Sequence, residues 1–221
     1  MSQVSDPLLH QCSTDHPVIF RLLCEFNYLP ASYLHRSRRP LFFNGGLPDS
    51  VWSCRRVWPR LSYPMLKQMK LAHDVIFSLP SPHHCFILLP PNRLSRVAQH
   101  LGAILLGSQI RSSLARDEVL RWRERLGHEA FEFAMNRARL MPSAHIPQPS
   151  KGLVNVEAIG FSILLSCCND LPAEIIQRVS LKIPNDAVAA DVDPKHAKQL
   201  MQSVMLTLEG EWRSLFFPQK T

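Results

Sequence analysis

The side chains best equipped for chemistry in this chain are its cysteines and histidines. His83-His84-Cys85 is the densest group, and Cys12-x-x-x-His16 or the Cys167-Cys168 pair would have to complete a metal site around it. Zinc sites usually draw ligands from spaced pairs, which let two side chains converge on one ion; three adjacent residues do not readily converge that way. A cysteine nucleophile needs a partly exposed thiol beside a base, and no local pattern marks one. The six cysteines, at positions 12, 24, 54, 85, 167 and 168, contain no repeated CxxC, and Cys24 and Cys168 stand in apolar surroundings. Reduced structural thiols, no metal, no cofactor and no catalytic residue are therefore expected. The chain also lacks a Walker loop, GxGxxG, HExxH and GxSxG, the short patterns that cradle phosphates, hold zinc or expose a serine nucleophile.

Arginine is the other chemically suggestive residue. Arg36, Arg38, Arg39, Arg55, Arg56 and Arg60 lie in one stretch with Trp52 and Trp58, and Asp49 is the one acid between Arg36 and Ser62. Basic residues interleaved with aromatics suit phosphate contacts and base stacking. They equally suit an acidic protein surface, or a solvated loop in which guanidinium groups cover tryptophans folded onto the core. The shortage of internal acids favours docking on an acidic protein, with Arg36, Arg38, Arg39, Arg55 and Arg56 as the partner-binding residues. A basic helical nucleic-acid-binding module is the alternative. The helices expected between Leu94 and Leu126 mimic a helix-turn-helix, but the first is too apolar to lie in a groove and the second carries Glu118 and Glu124 among its arginines.

These residues must be positioned by helices. Of the 221 residues, 46% are apolar and 19% charged, enough for a globular chain with a sizeable core. The net charge of +7 allows nucleic acid, an acidic protein or an anionic membrane surface as partner and selects none of them. The most apolar run, Ala158 to Cys168, falls short of the roughly 20 residues that span a bilayer. MSQVSDPLLH lacks the basic start and apolar stretch of a secretory signal, so a soluble cytoplasmic protein is expected.

The organising element is Asn92–Leu114. Leu94, Val97, Leu101, Ile104 and Leu105 recur at helical spacing, with Asn92 placed to cap the first turn. Gly102 and Gly107 lie inside it, about 140° apart around the axis. They mark a central helix approached closely from two sides, or else a kink or break. Leu101, Gly102, Leu105 and Gly107 are expected in the core. The rest reads as a compact all-α bundle of short helices: a flexible tail (1–16), an N-terminal helical lobe (17–79), a proline-rich connector (80–91) and a helical body (92–221). Within the lobe, helices are expected from Pro17 and over Ser62–Ile76. Cys85–Leu89 is too short to classify, an extended buried segment being one option. In the body, Asp117 is expected to cap a helix ended by Gly127, Asn155 or the residue before it to open an apolar helix, and Asp193-Pro194 to open the last one.

Two stretches carry a resemblance. Tyr28-Leu29-Pro30-Ala31-Ser32-Tyr33-Leu34-His35 resembles the aromatic-x-Pro-Ala-x-Tyr-Leu-His signature of the YscK/SctK proteins of bacterial type III secretion systems. Leu101-Gly102-x-x-Leu105-x-Gly107-x-x-Ile110-Arg111 resembles their Leu-Gly-x-x-Leu-x-Gly-x-x-Ile-Arg segment. On this resemblance Pro30, Tyr33, Leu34, His35, Leu101, Gly102, Leu105, Gly107, Ile110 and Arg111 are structural motif residues. The resemblance implies a non-enzymatic subunit of the sorting platform beneath the injectisome. It would link the cytoplasmic domain of the inner-membrane ring protein (SctD) to the pod protein (SctQ), and through the pod to the stator (SctL) and ATPase (SctN). The implied place is the cytoplasmic face of the inner membrane, peripheral and not inserted, with no nucleic acid and no cofactor. The arginine segment would then meet the ring protein.

Overall fold

Proline placement explains half of the described helix starts in the computed structural model, which describes residues 16–44, 46–113, 115–137, 155–187 and 192–217. In chain order the helices are α1 (Pro17–Tyr28), α2 (Asp49–Ser53), α3 (Trp58–Gln68), α4 (Pro91–Ser112), α5 (Arg116–Leu126), α6 (His128–Arg137), α7 (Val156–Ser166), α8 (Ala173–Leu181), α9 (Pro194–Leu208) and α10 (Gly210–Ser214). Short 3-10 turns occupy Pro30–Ser32, Arg36–Leu41 and Pro82–Leu88. A proline in the first turn sacrifices no intrahelical hydrogen bond, and its fixed φ suits a helix. Pro17, Pro91 and Pro194 are the first residues of α1, α4 and α9, Pro59 lies in the first turn of α3, and Pro172 immediately precedes α8. No strand occurs among the described residues, and the fold is all-α.

The chain divides into two compact units, residues 1–91, 171–185 and 210–221 in one and 92–170 and 186–209 in the other. Along the chain these units interleave, so α8 and α10 group with the helices before residue 92. The expected tail, apart from His16, lies outside the described residues.

In the first unit α1 and α3 pack with the turn at Pro30–Ser32, burying Leu23 and Phe26 from α1 and Leu61, Met65 and Leu66 from α3. Cys85–Leu89 is buried as expected but wound as a 3-10 turn, not extended, and Trp212 of α10 donates its indole N–H to the Cys85 carbonyl at 3.1 Å. The helix expected over Ser62–Ile76 is displaced: α3 begins at Trp58 and ends at Gln68. Pro64 lies in its interior, not its first turn. Lys70 takes a left-handed φ of 60°, so that the Leu71 N–H reaches the Leu66 carbonyl at 2.8 Å and closes the helix. The apolar spacing continues through Met69, Ala72 and Ile76, but this turn overrides it.

The second unit is organised around α4, which runs unbroken and buries twelve of its residues, Leu101, Gly102, Leu105, Gly107 and Ile110 among them. Pro91 opens it, so Asn92 lies within the first turn and is not its cap. On one face α7 crosses in reverse direction at very close range. A Cβ at Gly102 would stand 1.9 Å from the Val156 carbonyl oxygen, and one at Gly160 would stand 1.6 Å from that of Ala98. Each helix thus offers a glycine to the other's backbone, which no larger residue allows. On a neighbouring face Ala103, Leu106 and Ile110 meet Leu126, Ala130 and Ala134, with Trp122 and Phe131 at the margin. Helix α9 packs on α7.

The caps follow local chemistry. The Asn155 side chain accepts from the Glu157 and Ala158 N–H groups at 3.1 and 3.3 Å, as expected. Asp193 accepts from the Lys195 N–H at 3.4 Å. Gly127 ends α5 with φ 74°. The cap of α5 is Ala115, without a side-chain bond, so Asp117 acts in the first turn, where its charge suits the helix dipole.

Candidate interaction surface

The arginine segment begins on a capped turn. The His35 ring accepts from the Ser37 N–H at 3.2 Å to start the 3-10 turn Arg36–Leu41, and the His35 N–H donates to the Leu181 carbonyl at 2.7 Å. Arg38 then reaches across the first unit. Its guanidinium donates to the carbonyls of Ile183 at 2.7 Å and Pro184 at 3.2 Å, and to the Asn185 side chain at 3.2 Å. These are acceptors just beyond the end of α8, so Arg38 closes that end. Arg39 pairs with Asp49 at 2.7 Å and lies 4.6 Å from the centre of the Trp52 ring. Arg36 shares Asp49 at 2.9 Å but is largely exposed. Arg55 lies 5.8 Å from the Trp58 ring, whose N–H is held by the Trp52 carbonyl at 2.7 Å. Arg55, Arg56 and Arg60 are exposed.

Arg38 and Arg39 are spent on internal bonds and on Trp52, which is buried. Arg36, Arg55 and Arg56 present charge outward.

Beside this segment the aromatic motif packs inward. Pro30, Ala31, Tyr33 and Leu34 are buried, the Ala31 N–H donates to the Ser62 hydroxyl at 3.1 Å, and the Tyr33 hydroxyl donates to the Phe26 carbonyl at 2.6 Å. Burial pushes the Tyr33 phenol well above its ordinary range. Two buried cations that the sequence did not single out complete this region. Arg178 of α8 donates to the carbonyls of Leu71 at 3.1 Å and Asp74 at 2.5 Å, holding the turn after α3. Burial lowers its pKa, yet a guanidinium stays charged at any physiological pH.

Lys182, at the end of α8, donates to the carbonyls of Ile87 at 2.5 Å and Leu89 at 2.9 Å. It stands 4.9 Å from the Tyr33 ring centre and 5.2 Å from that of Phe26. Burial pushes its ammonium down to about 7, opposed by the charge of Glu25. In the sequence Lys182 reads as an ordinary cation near a helix end. Its flanking Leu181 and Ile183, both buried, are the only local sign that it points inward. Above it opens a groove of about 420 Å³, lined chiefly by α1, Trp58 and the Leu88–Pro91 stretch.

The second unit holds its own polar ties. Arg93 pairs with the buried Glu209 carboxylate, Arg96 with Glu129, and the Ser95 hydroxyl with Glu157. His100 is buried, contacting the Arg96 carbonyl at 2.8 Å, and burial lowers its pKa. Arg111 is exposed at the end of α4. The thiols of Cys85 and Cys167 are pushed up to about 11 and about 12 by burial, and that of Cys168 further, the opposite of an activated nucleophile. Among the described residues no three His, Cys, Asp or Glu side chains stand close enough to hold a metal ion; Cys12 lies outside them. Nor is any described helix long and apolar enough to cross a membrane.

These features define an all-helical scaffold whose buried cations cap its own chain and whose first unit presents exposed Arg36, Arg55, Arg56 and Arg60. The chain matches the family of YOP proteins translocation protein K (YscK) over residues 23–211. It belongs to that family and is a type III secretion protein. No curated protein and no solved structure matches it.

Proposed function

We propose that this protein is a non-enzymatic structural adaptor of the type III secretion sorting platform. It joins the cytoplasmic domain of the inner-membrane ring protein (SctD) to the pod protein (SctQ), and so to the stator (SctL) and ATPase (SctN). It works at the cytoplasmic face of the inner membrane without entering it. The family match over residues 23–211 carries this reading. The fold is consistent with it: each compact unit has a packed helical core able to present a binding face.

Within this reading the exposed arginines meet the ring protein. Rim charges steer association and set orientation more than they add affinity. Arg36, Arg55 and Arg56 fit that role better than Arg38 and Arg39, whose guanidinium groups have internal partners. The test is a pull-down of tagged protein from lysate of the secreting bacterium, with bound molecules identified. Recovery of ring and pod proteins supports the adaptor. Recovery of nucleic acid with a steep salt dependence, and no secretion subunit, overturns it.

A further inference from the structure

The groove above Lys182 has the construction of an anchor site. Leu22 and Phe26 of α1, Leu29, Trp58, Leu89 and Pro90 form an apolar wall. Leu22, Leu29 and Trp58 are half-buried and Pro90 is exposed, so part of this wall faces outward. Its charge is lopsided. Arg55 is exposed at the rim, Lys182 is buried at the floor, and Glu25 is the one acid among the lining residues. The Lys182 ammonium gives N–H groups to the Ile87 and Leu89 carbonyls and stands against the Tyr33 and Phe26 rings, so it contributes positive charge beneath the groove.

A volume of about 420 Å³ holds one large side chain and a carboxylate next to it. Arg56 and Arg60, close in sequence to the lining residues Arg55 and Trp58, are exposed as well. A compact anion would use only the cavity, whereas an extended acidic chain would use both cavity and rim. We infer that this groove anchors an acidic segment of a protein partner. One apolar side chain seats against Leu22, Leu29 and Trp58, and a neighbouring carboxylate meets Arg55, with Lys182 beneath. This rests on the adaptor reading and takes the ring protein's cytoplasmic domain as the partner. A buried apolar anchor beside a matched charge is the arrangement that concentrates binding energy in few residues.

The experiment titrates the purified ring-protein domain, and separately the pod protein, into the full chain and two variants. Leu22→Lys places a charge on the apolar wall and should weaken ring-domain binding by about tenfold or more. Glu25→Lys removes the groove's acid at an exposed position and should tighten ring-domain binding severalfold at low salt. Pod binding should be unchanged in both. Ring-domain affinity equal to wild type in both variants overturns the groove while leaving the adaptor reading intact. If Leu22→Lys melts early, Glu25→Lys decides alone, and unchanged affinity there overturns the inference. A wild-type chain that binds neither protein overturns the adaptor reading and the groove together.

Discussion

Replacing Gly102 with alanine tests the packing on which the second unit depends. The new Cβ would lie 1.9 Å from the Val156 carbonyl oxygen, 2.9 Å from its carbon and 3.0 Å from one of its methyl groups. The methyl can rotate away, but the oxygen belongs to the backbone of α7 and cannot. Ordinary contact begins near 3.4 Å, so the helices must part by about 1.5 Å along this line. Overpacking of a full core costs about 1–3 kcal/mol, and a gap of even 0.5–1 Å forfeits roughly a quarter to a half of each dispersion contact it opens. The expected cost is therefore about 3 kcal/mol or more. For a chain of this length that lowers the melting temperature by roughly 6–12 °C.

Thermal and urea unfolding, followed by circular dichroism, would measure this loss. Gly210→Ala is the matched control, because no atom lies within 4 Å of its added Cβ and its φ is not left-handed; it should melt as wild type. Gly160→Ala should cost a similar amount, and the double variant less than the sum, since both residues serve one crossing. Trimming Val156 to alanine should not rescue Gly102→Ala, because the clash is with backbone. A Gly102→Ala protein melting within about 2 °C of wild type, at equal urea dependence, would refute the close crossing.

Other perturbations read the buried cations and the turn after α3. Lys182 is held near 7 when folded, whereas an unfolded lysine keeps its proton to about 10.4. The cost of the buried charge is thus complete below pH 7 and relieved as pH rises above it. Wild-type stability should rise relative to Lys182→Met by roughly 1.5–2 kcal/mol between pH 7 and 8.5, and parallel urea curves at both pH values would contradict that. Titration of His100 and of the buried thiols is common to both proteins and cancels in this difference. Arg38→Ala should lose about 1.5–3 kcal/mol by leaving the carbonyls after α8 unmet. Joint replacement of Arg36, Arg55 and Arg56 by alanine should change stability by under about 1 kcal/mol yet slow ring-domain association at low salt. Lys70→Gly should gain up to about 1 kcal/mol in urea unfolding, since glycine accepts the left-handed φ of 60° without strain.

What could be read from the residues was mainly local. Asn155 and Asp193 cap where they stand, Gly127 stops α5, and the apolar stripe of α4 defines the core of the second unit, because each depends on near neighbours in the chain. The end of α3 was illegible, since it is set by a left-handed lysine and by Arg178, more than 100 residues away in sequence. Lys182 and Arg38 escaped for the same reason. Each looks like a solvated cation until the fold brings carbonyls to it, Ile87 and Leu89 for one, Ile183 and Pro184 for the other. Charge counting suggested six arginines short of acids, but Asp49 takes both Arg36 and Arg39, and backbone oxygens serve Arg38 without any acid. The partner of Gly102 was equally hidden, because nothing in the α4 sequence names α7 as the helix that crosses it.

The adaptor account stands or falls on whether one molecule holds two partners. Purified full-length chain, ring-protein cytoplasmic domain and pod protein should be mixed in pairs and all together, and their masses measured by sedimentation velocity. The account predicts two binary complexes and a ternary species containing all three, formed without ring and pod binding each other directly. Competition between ring domain and pod protein for the chain, or a chain that sediments alone beside both, would contradict it.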